Sequence, residues 1–171
     1  GRQKQYMVAI RRMERDLGMR ILMDEKPLDD EQSVKRFISD VKQSLPDGLL
    51  LIPFKKGHWG HVIRIIEEVK IPTVVLATLG ILLVDHINQL RDKPGAYLIN
   101  SLDSRDAGIY STKMIKTACW MKESRIVNIA GSDLRETIVP HLGTQIRTIP
   151  HQRFYDEFKR TGATAEVKKL A

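Results

Sequence analysis

Residues 47–77, which read DGLLLIPFKKGHWGHVIRIIEEVKIPTVVLA, decide the fold class of this chain. Leu49–Ile52 and Thr73–Ala77 are short apolar runs bounded by turn residues, a pattern typical of strands buried on both faces of a sheet. Between them, Gly60–Val69 repeats its apolar residues at helical spacing. A strand, a helix and a second strand in this order predict a right-handed crossover between two parallel strands.

The same alternation continues on both sides of this stretch. Apolar residues at spacings of three and four predict helices at 2–17, 30–44 (capped by Asp29 or Asp30), 81–91, 107–122, 134–142, 152–160 and 165–170. Short apolar or alternating runs predict further strands at 19–24, 96–99, 125–130 and 145–149, the last of them at a sheet edge. We therefore predict an α/β fold with three layers: a doubly wound, mostly parallel sheet of the Rossmann-like or flavodoxin-like kind.

The pattern predicts a single α/β domain over residues 1–171. A doubly wound domain usually begins with a strand, whereas this chain begins with a helix. It also ends in a helical fragment without a terminating signal. We therefore expect a piece of a longer protein, without the first strand of the domain and without any catalytic domain that follows it.

The composition is that of a soluble globular protein, with 42% hydrophobic and 29% charged residues. The single cysteine, Cys119, excludes an internal disulfide framework and favours a reducing compartment. The sequence contains no signal-peptide pattern and no apolar run near the roughly 20 residues that a membrane span needs. These features predict a cytoplasmic protein with no membrane partner.

The formal net charge of +7 is concentrated at the two ends of the chain. Residues 1–20 carry six Arg and Lys against two acidic residues, and residues 147–171 carry six against three. Basic and aromatic residues are not interleaved along a stripe, so the pattern does not favour nucleic acid as a partner. We interpret both ends as solvated or subunit-facing surfaces and expect a homo-oligomer.

Polar residues follow several of the predicted strands. Ligands of open α/β sheets bind outside the carboxyl ends of the strands, which selects the loops at 24–27, 54–60, 78–80, 100–106 and 131–133. From the three most polar loops we predict the following substrate-binding residues: Lys55, His58, Trp59, Asn100, Asp103, Arg105 and Ser132.

The loop after the first quoted strand has the sharpest pattern. Gly57 and Gly60 would let a ligand approach the backbone, and the helix that follows offers free N–H groups. His58 could then act as a hydrogen-bond donor or proton shuttle, and Trp59 could stack on a sugar ring. In the alternative interpretation Trp59 packs in the core and the histidines only cap the helix. His58 and His61 have the spacing of a metal-ligand pair, but no third ligand is nearby, so we predict no metal site in this chain.

The remaining candidate residues also allow two interpretations. Asp103, Arg105 and Asp106 could bind sugar hydroxyls, or Asp106 could merely cap the helix that follows. Ser132 could likewise bind a ligand or cap a helix. The glycine-rich signatures of dinucleotide sites and P-loops are absent, as is the G-x-S-x-G motif of hydrolases, which argues against those three classes.

Three stretches resemble the amino-terminal domain of the L-fucose/L-arabinose isomerase-like proteins. The first runs from the Asp47–Phe54 strand region through His58-Trp59-Gly60-His61 to Val69–Leu76. The second is the helix and strand of residues 113–131, which ends in Ala130-Gly131. The third is the Leu-Gly turn, strand and amphipathic helix of residues 142–158. Together they cover most of the chain.

This resemblance implies a role in a sugar aldose–ketose isomerase of carbohydrate metabolism, or in a relative of one. Such enzymes use a divalent metal, usually manganese, to polarise the substrate oxygens during proton transfer. The family's metal ligands lie in a later domain, so this chain would supply a wall of the sugar pocket, bind no metal itself and be inactive alone. Two alternatives remain: a sugar-binding sensor domain without catalysis, and a flavodoxin-like interaction domain without a small ligand.

Overall fold

The computed structural model describes residues 2–24, 26–78, 80–101, 105–140 and 142–170. They form an α/β structure that divides into two compact units, residues 1–119 and 120–171. The two units are described separately below. None of the helices in the described ranges is both long and apolar enough to cross a membrane.

The first unit is built on three parallel strands. Its elements are α1 (Arg2–Leu17), α2 (Glu31–Ser44), β1 (Leu49–Leu51), a 3₁₀ turn (Lys56–His58), α3 (Trp59–Val69), β2 (Thr73–Thr78), α4 (Val84–Arg91), β3 (Ala96–Ser101) and α5 (Arg105–Glu123), the last of which runs on into the second unit. The strands lie in the order β1-β2-β3, and both neighbouring pairs are parallel. The parallel crossover predicted from residues 47–77 is therefore confirmed.

The central strand β2 is buried along its whole length. Neighbouring residues of a strand point to opposite faces of the sheet, so both faces must be covered. Val75 and Ala77 belong to one apolar cluster with buried side chains of α2, α3 and α4. Val74 and Leu76 point the other way and are equally buried. Leu49 and Leu51 of β1 belong to the same cluster, and further buried apolar side chains lie on α1 and α5: Ile10, Met13 and Ile115.

The second unit contains a small mixed sheet. Its elements are β4 (Arg125–Ile129), β5 (Arg135–Ile138), β6 (Gln145–Ile149), α6 (His151–Thr161) and α7 (Ala165–Leu170). The strand order is β4-β6-β5, with β4 parallel and β5 antiparallel to β6. Most side chains of this unit are exposed, including large apolar ones such as Val127, Ile138 and Phe158.

Two of the predicted elements are wrong, and a third, the strand at 145–149, is confirmed but does not lie where it was predicted. Residues 19–24 form no strand, because the Ile21 N–H donates to the Glu14 carboxylate at 2.8 Å and ties this segment to the end of α1. The helix predicted at 134–142 is instead the strand β5, whose β-branched residues Thr137 and Ile138 favour extended backbone. β6 is the centre of its sheet and not an edge, since β5 turns back to pair with it.

One close approach in the first unit depends on a glycine. A Cβ at Gly48 would lie 2.6 Å from Ile115 Cγ2 and 2.9 Å from the Pro72 carbonyl oxygen. That carbonyl accepts the backbone N–H of Leu49 at 2.8 Å, which holds the start of β1 against β2. The contact therefore involves backbone that cannot move without disturbing the sheet.

We expect Gly48→Ala to lower the free energy of unfolding by about 1–3 kcal/mol, because overpacking a filled site forces its neighbours apart. Urea denaturation of the purified chain measures the change. Gly60→Ala is the matched control, since a Cβ there meets nothing within 4 Å. A Gly48→Ala variant as stable as Gly60→Ala would contradict the tight contact.

An ion-pair network links α2 to α3 on the surface. Arg64 bonds to Glu31 on α2 and to Glu68 on its own helix, the latter at 2.7 Å, and Glu68 also contacts Lys42 at 3.4 Å. The hydrogen bond from Arg64 is the largest influence on each carboxyl and lowers the pKa of both Glu31 and Glu68. Both carboxylates are therefore charged over a wider pH range when the chain is folded.

A carboxyl whose pKa falls on folding stabilises the protein above its unfolded pKa and loses this contribution as the pH drops through its folded pKa. We expect Arg64→Met to be less stable than the original chain near neutral pH, with the difference shrinking between about pH 6 and pH 3. Urea unfolding at several pH values gives the comparison, with Arg91→Met at the end of α4 as control. A difference that does not depend on pH would rule out this linkage.

Candidate functional site

The carboxyl ends of β1, β2 and β3 meet at one edge of the parallel sheet. Thr78 at the end of β2 is paired with Ser101 at the end of β3. β1 ends earlier, since its last residue Leu51 is paired with Val75. Four residues, 52–55, connect the end of β1 to the 3₁₀ turn that begins at Lys56.

Three polar side chains converge beside this loop. One oxygen of the Asp29 carboxylate lies 3.4 Å from Lys55 Nζ and 3.3 Å from His58 Nε2. Asp29 and Lys55 are largely solvent-exposed, whereas His58 is mostly covered. The cluster, called the Asp29 cluster below, thus brings together the segment before α2 and the loop after β1.

Local backbone geometry places each member of the cluster. Asp29 comes directly before Asp30, whose carboxylate caps α2 by accepting the Ser33 N–H at 2.7 Å. This hydrogen bond lowers the pKa of Asp30. On the other side, the Lys55 carbonyl accepts the His58 N–H at 3.1 Å and closes the 3₁₀ turn. Both sides of the cluster are therefore held by hydrogen bonds that do not use the side chains of Asp29, Lys55 or His58.

Lys55 and His58 lie where the sequence predicted a polar loop, but His58 does not cap α3. Although His58 is the N-cap residue, its side chain makes no capping hydrogen bond and faces Asp29 instead. The rings of His58 and His61 are 5.9 Å apart. Within the described ranges, no group of three or more His, Cys, Asp or Glu side chains is arranged to hold a metal ion.

Trp59 packs as a core residue, which is one of the two interpretations that the sequence left open. Its exposed fraction is 3%, and it belongs to the apolar cluster of the first unit. The indole Nε1–H donates to the Ile81 carbonyl at 3.0 Å, and the ring stacks on His86 with centroids 4.3 Å apart. The expectation that Trp59 offers a free face to a sugar ring is therefore wrong.

His86 is a structural residue of this edge that the sequence analysis missed. Its exposed fraction is 9%, and its Nδ1 accepts the backbone N–H of Leu83 at 3.2 Å. Leu83 is the N-cap residue of α4 and has no polar side chain to do this. The sequence clue was the apolar residue at the N-cap position. A helix that begins without a capping side chain can be stabilised by a polar side chain of its own first turn, and His86 is such a residue.

The other predicted residues do not join the Asp29 cluster in the described contacts. Asn100 is exposed near the end of β3, while Asp103 lies outside the described residues. Arg105 begins α5, and its side chain is likewise outside them. Asp106 lies in the first turn of α5, which begins at Arg105 and not at 107 as the capping alternative required. Ser132 is exposed in the second unit between β4 and β5, where no helix follows it to be capped.

The Asp29 cluster combines a hydrogen-bond acceptor with two donors in a small space. A carboxylate can accept a hydrogen bond from a hydroxyl group, while an ammonium group and an imidazole N–H can donate hydrogen bonds to a hydroxyl or carboxylate oxygen. Such a set is suited to a ligand with several adjacent hydroxyl groups.

No protein-family model, curated protein or solved structure matches this chain.

Proposed function

We propose that this chain is the flavodoxin-like, substrate-pocket domain of a sugar isomerase-like protein, and that it binds the sugar at the carboxyl edge of β1, β2 and β3. The observation that carries the proposal is the Asp29 cluster, in which Asp29, Lys55 and His58 meet within 3.4 Å at this edge. Ligands of parallel α/β sheets bind at this edge because the loops there carry the variable polar groups.

The chemistry of the cluster supports a sugar over an apolar ligand. Each sugar hydroxyl both donates and accepts a hydrogen bond, and a charged partner makes such a bond roughly twice as strong as a neutral one. Lys55 is exposed and shares one carboxylate oxygen with His58. A sugar could therefore replace the long Lys55–Asp29 contact without leaving either charge buried and unpaired.

Catalysis is not assigned to any residue of this chain. The resemblance implies a manganese ion in the parent enzyme, but the donor set of the described residues does not fit one, since no suitable group of three ligands exists among them. We expect the chain alone to bind without converting aldose to ketose. Metal-dependent isomerisation by the complete parent protein would distinguish an enzyme from a sugar sensor.

A second candidate function rests on the second unit. Apolar side chains on β4, β5 and α6 are exposed, with Phe158 71% accessible. Exposed apolar surface of this kind supports an interaction domain or a homo-oligomer.

The cytoplasmic location remains a prediction from the single cysteine.

A comparison of Lys55→Met with Lys56→Met, a variant of the adjacent lysine, tests the proposed site. We expect L-arabinose or L-fucose to shift amide NMR signals around the Asp29 cluster in the original chain. Loss of one charge-assisted hydrogen bond of about 1.5–3 kcal/mol should weaken the affinity roughly ten- to a hundredfold in Lys55→Met. Lys56→Met is the matched control, because Lys56 is the adjacent exposed lysine and should leave the affinity within about twofold.

A saturable shift of the NMR signals of these residues would reject the alternative of an interaction domain without a small ligand. Equal loss of affinity in both lysine variants would indicate a diffuse charge effect and not a site. If no pentose or 6-deoxyhexose of a test panel shifts any signal in the original chain, the sugar-binding proposal is wrong.

A further inference from the structure

The loop after β2 receives polar contacts from two helices in addition to a hydrogen bond within its own turn. The Ile81 N–H donates to the Thr78 carbonyl at 3.2 Å, and Gly80 between them has a φ of 79°, which closes a tight turn. The Ile81 carbonyl then accepts the indole N–H of Trp59 from α3. Two residues later, the Leu83 N–H donates to His86 Nδ1 of α4.

Apolar packing fixes only the first part of this loop. Ile81 and Leu82 pack against the core cluster. Leu83 and Val84 are exposed, with 71% of Val84 accessible, so burial contributes little to their position. The Leu83 carbonyl accepts the backbone N–H groups of His86 at 3.1 Å and Ile87 at 3.4 Å, and the His86 ring adds the bond to the Leu83 N–H.

The two contacts form one unit because Trp59 and His86 stack on each other. Their rings are 4.3 Å apart with an interplanar angle of 21°, and both side chains are buried. An Nδ1 atom that accepts a backbone N–H carries no proton, so the neutral ring bears its proton on Nε2. Trp59 directly follows His58, a member of the Asp29 cluster.

We propose that His86 is a positioning residue of the sugar site: through its bond to Leu83 and its stack on Trp59, it fixes the loop after β2 against the start of α3, beside His58. This inference rests on the proposed function, since it assigns to the loop a wall of that same site. His86 itself does not touch the sugar.

Three substitutions separate the functions of the ring. His86→Phe keeps a stacking ring but removes the acceptor, and His86→Ala removes both. His86→Asn restores an acceptor, because the asparagine Oδ1 and the histidine Nδ1 have the same position relative to Cβ. His151→Phe, an exposed histidine of α6, is the control for exchanging a histidine for a phenylalanine.

The measurements are amide hydrogen exchange at Leu83, the indole N–H signal of Trp59, and the affinity for L-arabinose. We expect His86→Phe to accelerate Leu83 exchange at least about tenfold, shift the Trp59 signal and weaken L-arabinose binding several-fold. His86→Asn should restore slow Leu83 exchange and recover part of the L-arabinose affinity, but not the Trp59 signal, because it has no ring to stack on the indole. His151→Phe should change none of the three.

Unchanged Leu83 exchange in both His86→Phe and His86→Ala would overturn the inference and leave the sugar site standing. Faster exchange with unchanged L-arabinose affinity would also overturn it, because the loop would then be no part of the site. If the original chain does not respond to L-arabinose or L-fucose, the sugar site fails. His86 then keeps only a structural role, shown by exchange that follows the acceptor.

Discussion

The burial of β2 on both faces is the constraint on which the first unit depends. All six of its residues are buried, and its backbone is paired with a parallel strand on either side. A parallel strand cannot be joined to its neighbour by a tight turn, so each connection must be a helix that returns over the sheet. Those helices supply the apolar cover, and their loops must gather at the ends of the strands. The loop after β1, which carries Lys55 and His58, belongs to the first of these connections.

Adjacent residues at the start of α3 belong to the apolar core and to the Asp29 cluster. At the start of α3, Trp59 turns into the core while His58, one residue earlier, turns to Asp29 near the surface. The same helix turn therefore anchors the loop after β2 and presents a polar group at the edge. A rigid core residue next to a binding residue limits how far that binding residue can move.

The sequence predicted the parts of the fold that rest on repeated burial, and failed where a single contact decided the outcome. The runs at Leu49 and Thr73 were readable because a strand covered on both faces needs continuous apolar residues. The segment after Gly18 had the same local pattern, yet the Glu14 carboxylate took one of its backbone N–H groups and no strand formed. In the second unit, apolar spacing near Leu134 fitted a helix, but pairing with β6 determined the structure. For the candidate site, the position of the loop after β1 pointed to Lys55 and His58. Their contact with Asp29 was not predicted, because it joins residues far apart in the sequence, 26 positions in the case of Lys55, and no local sequence pattern reports such a contact.

The mixed sheet of the second unit has a consequence for how residues 120–171 behave in solution when they are produced alone. Taken by itself, this sheet ends in β4 on one side and β5 on the other, and β4 carries exposed Ile126, Val127 and Ile129. An outer strand rich in exposed β-branched side chains is a template on which another extended chain can add. Arg125 and Asn128 are the polar interruptions along it. Residues 120–171 produced in isolation would therefore aggregate by strand addition, and changing either of these two side chains to an apolar one would hasten it.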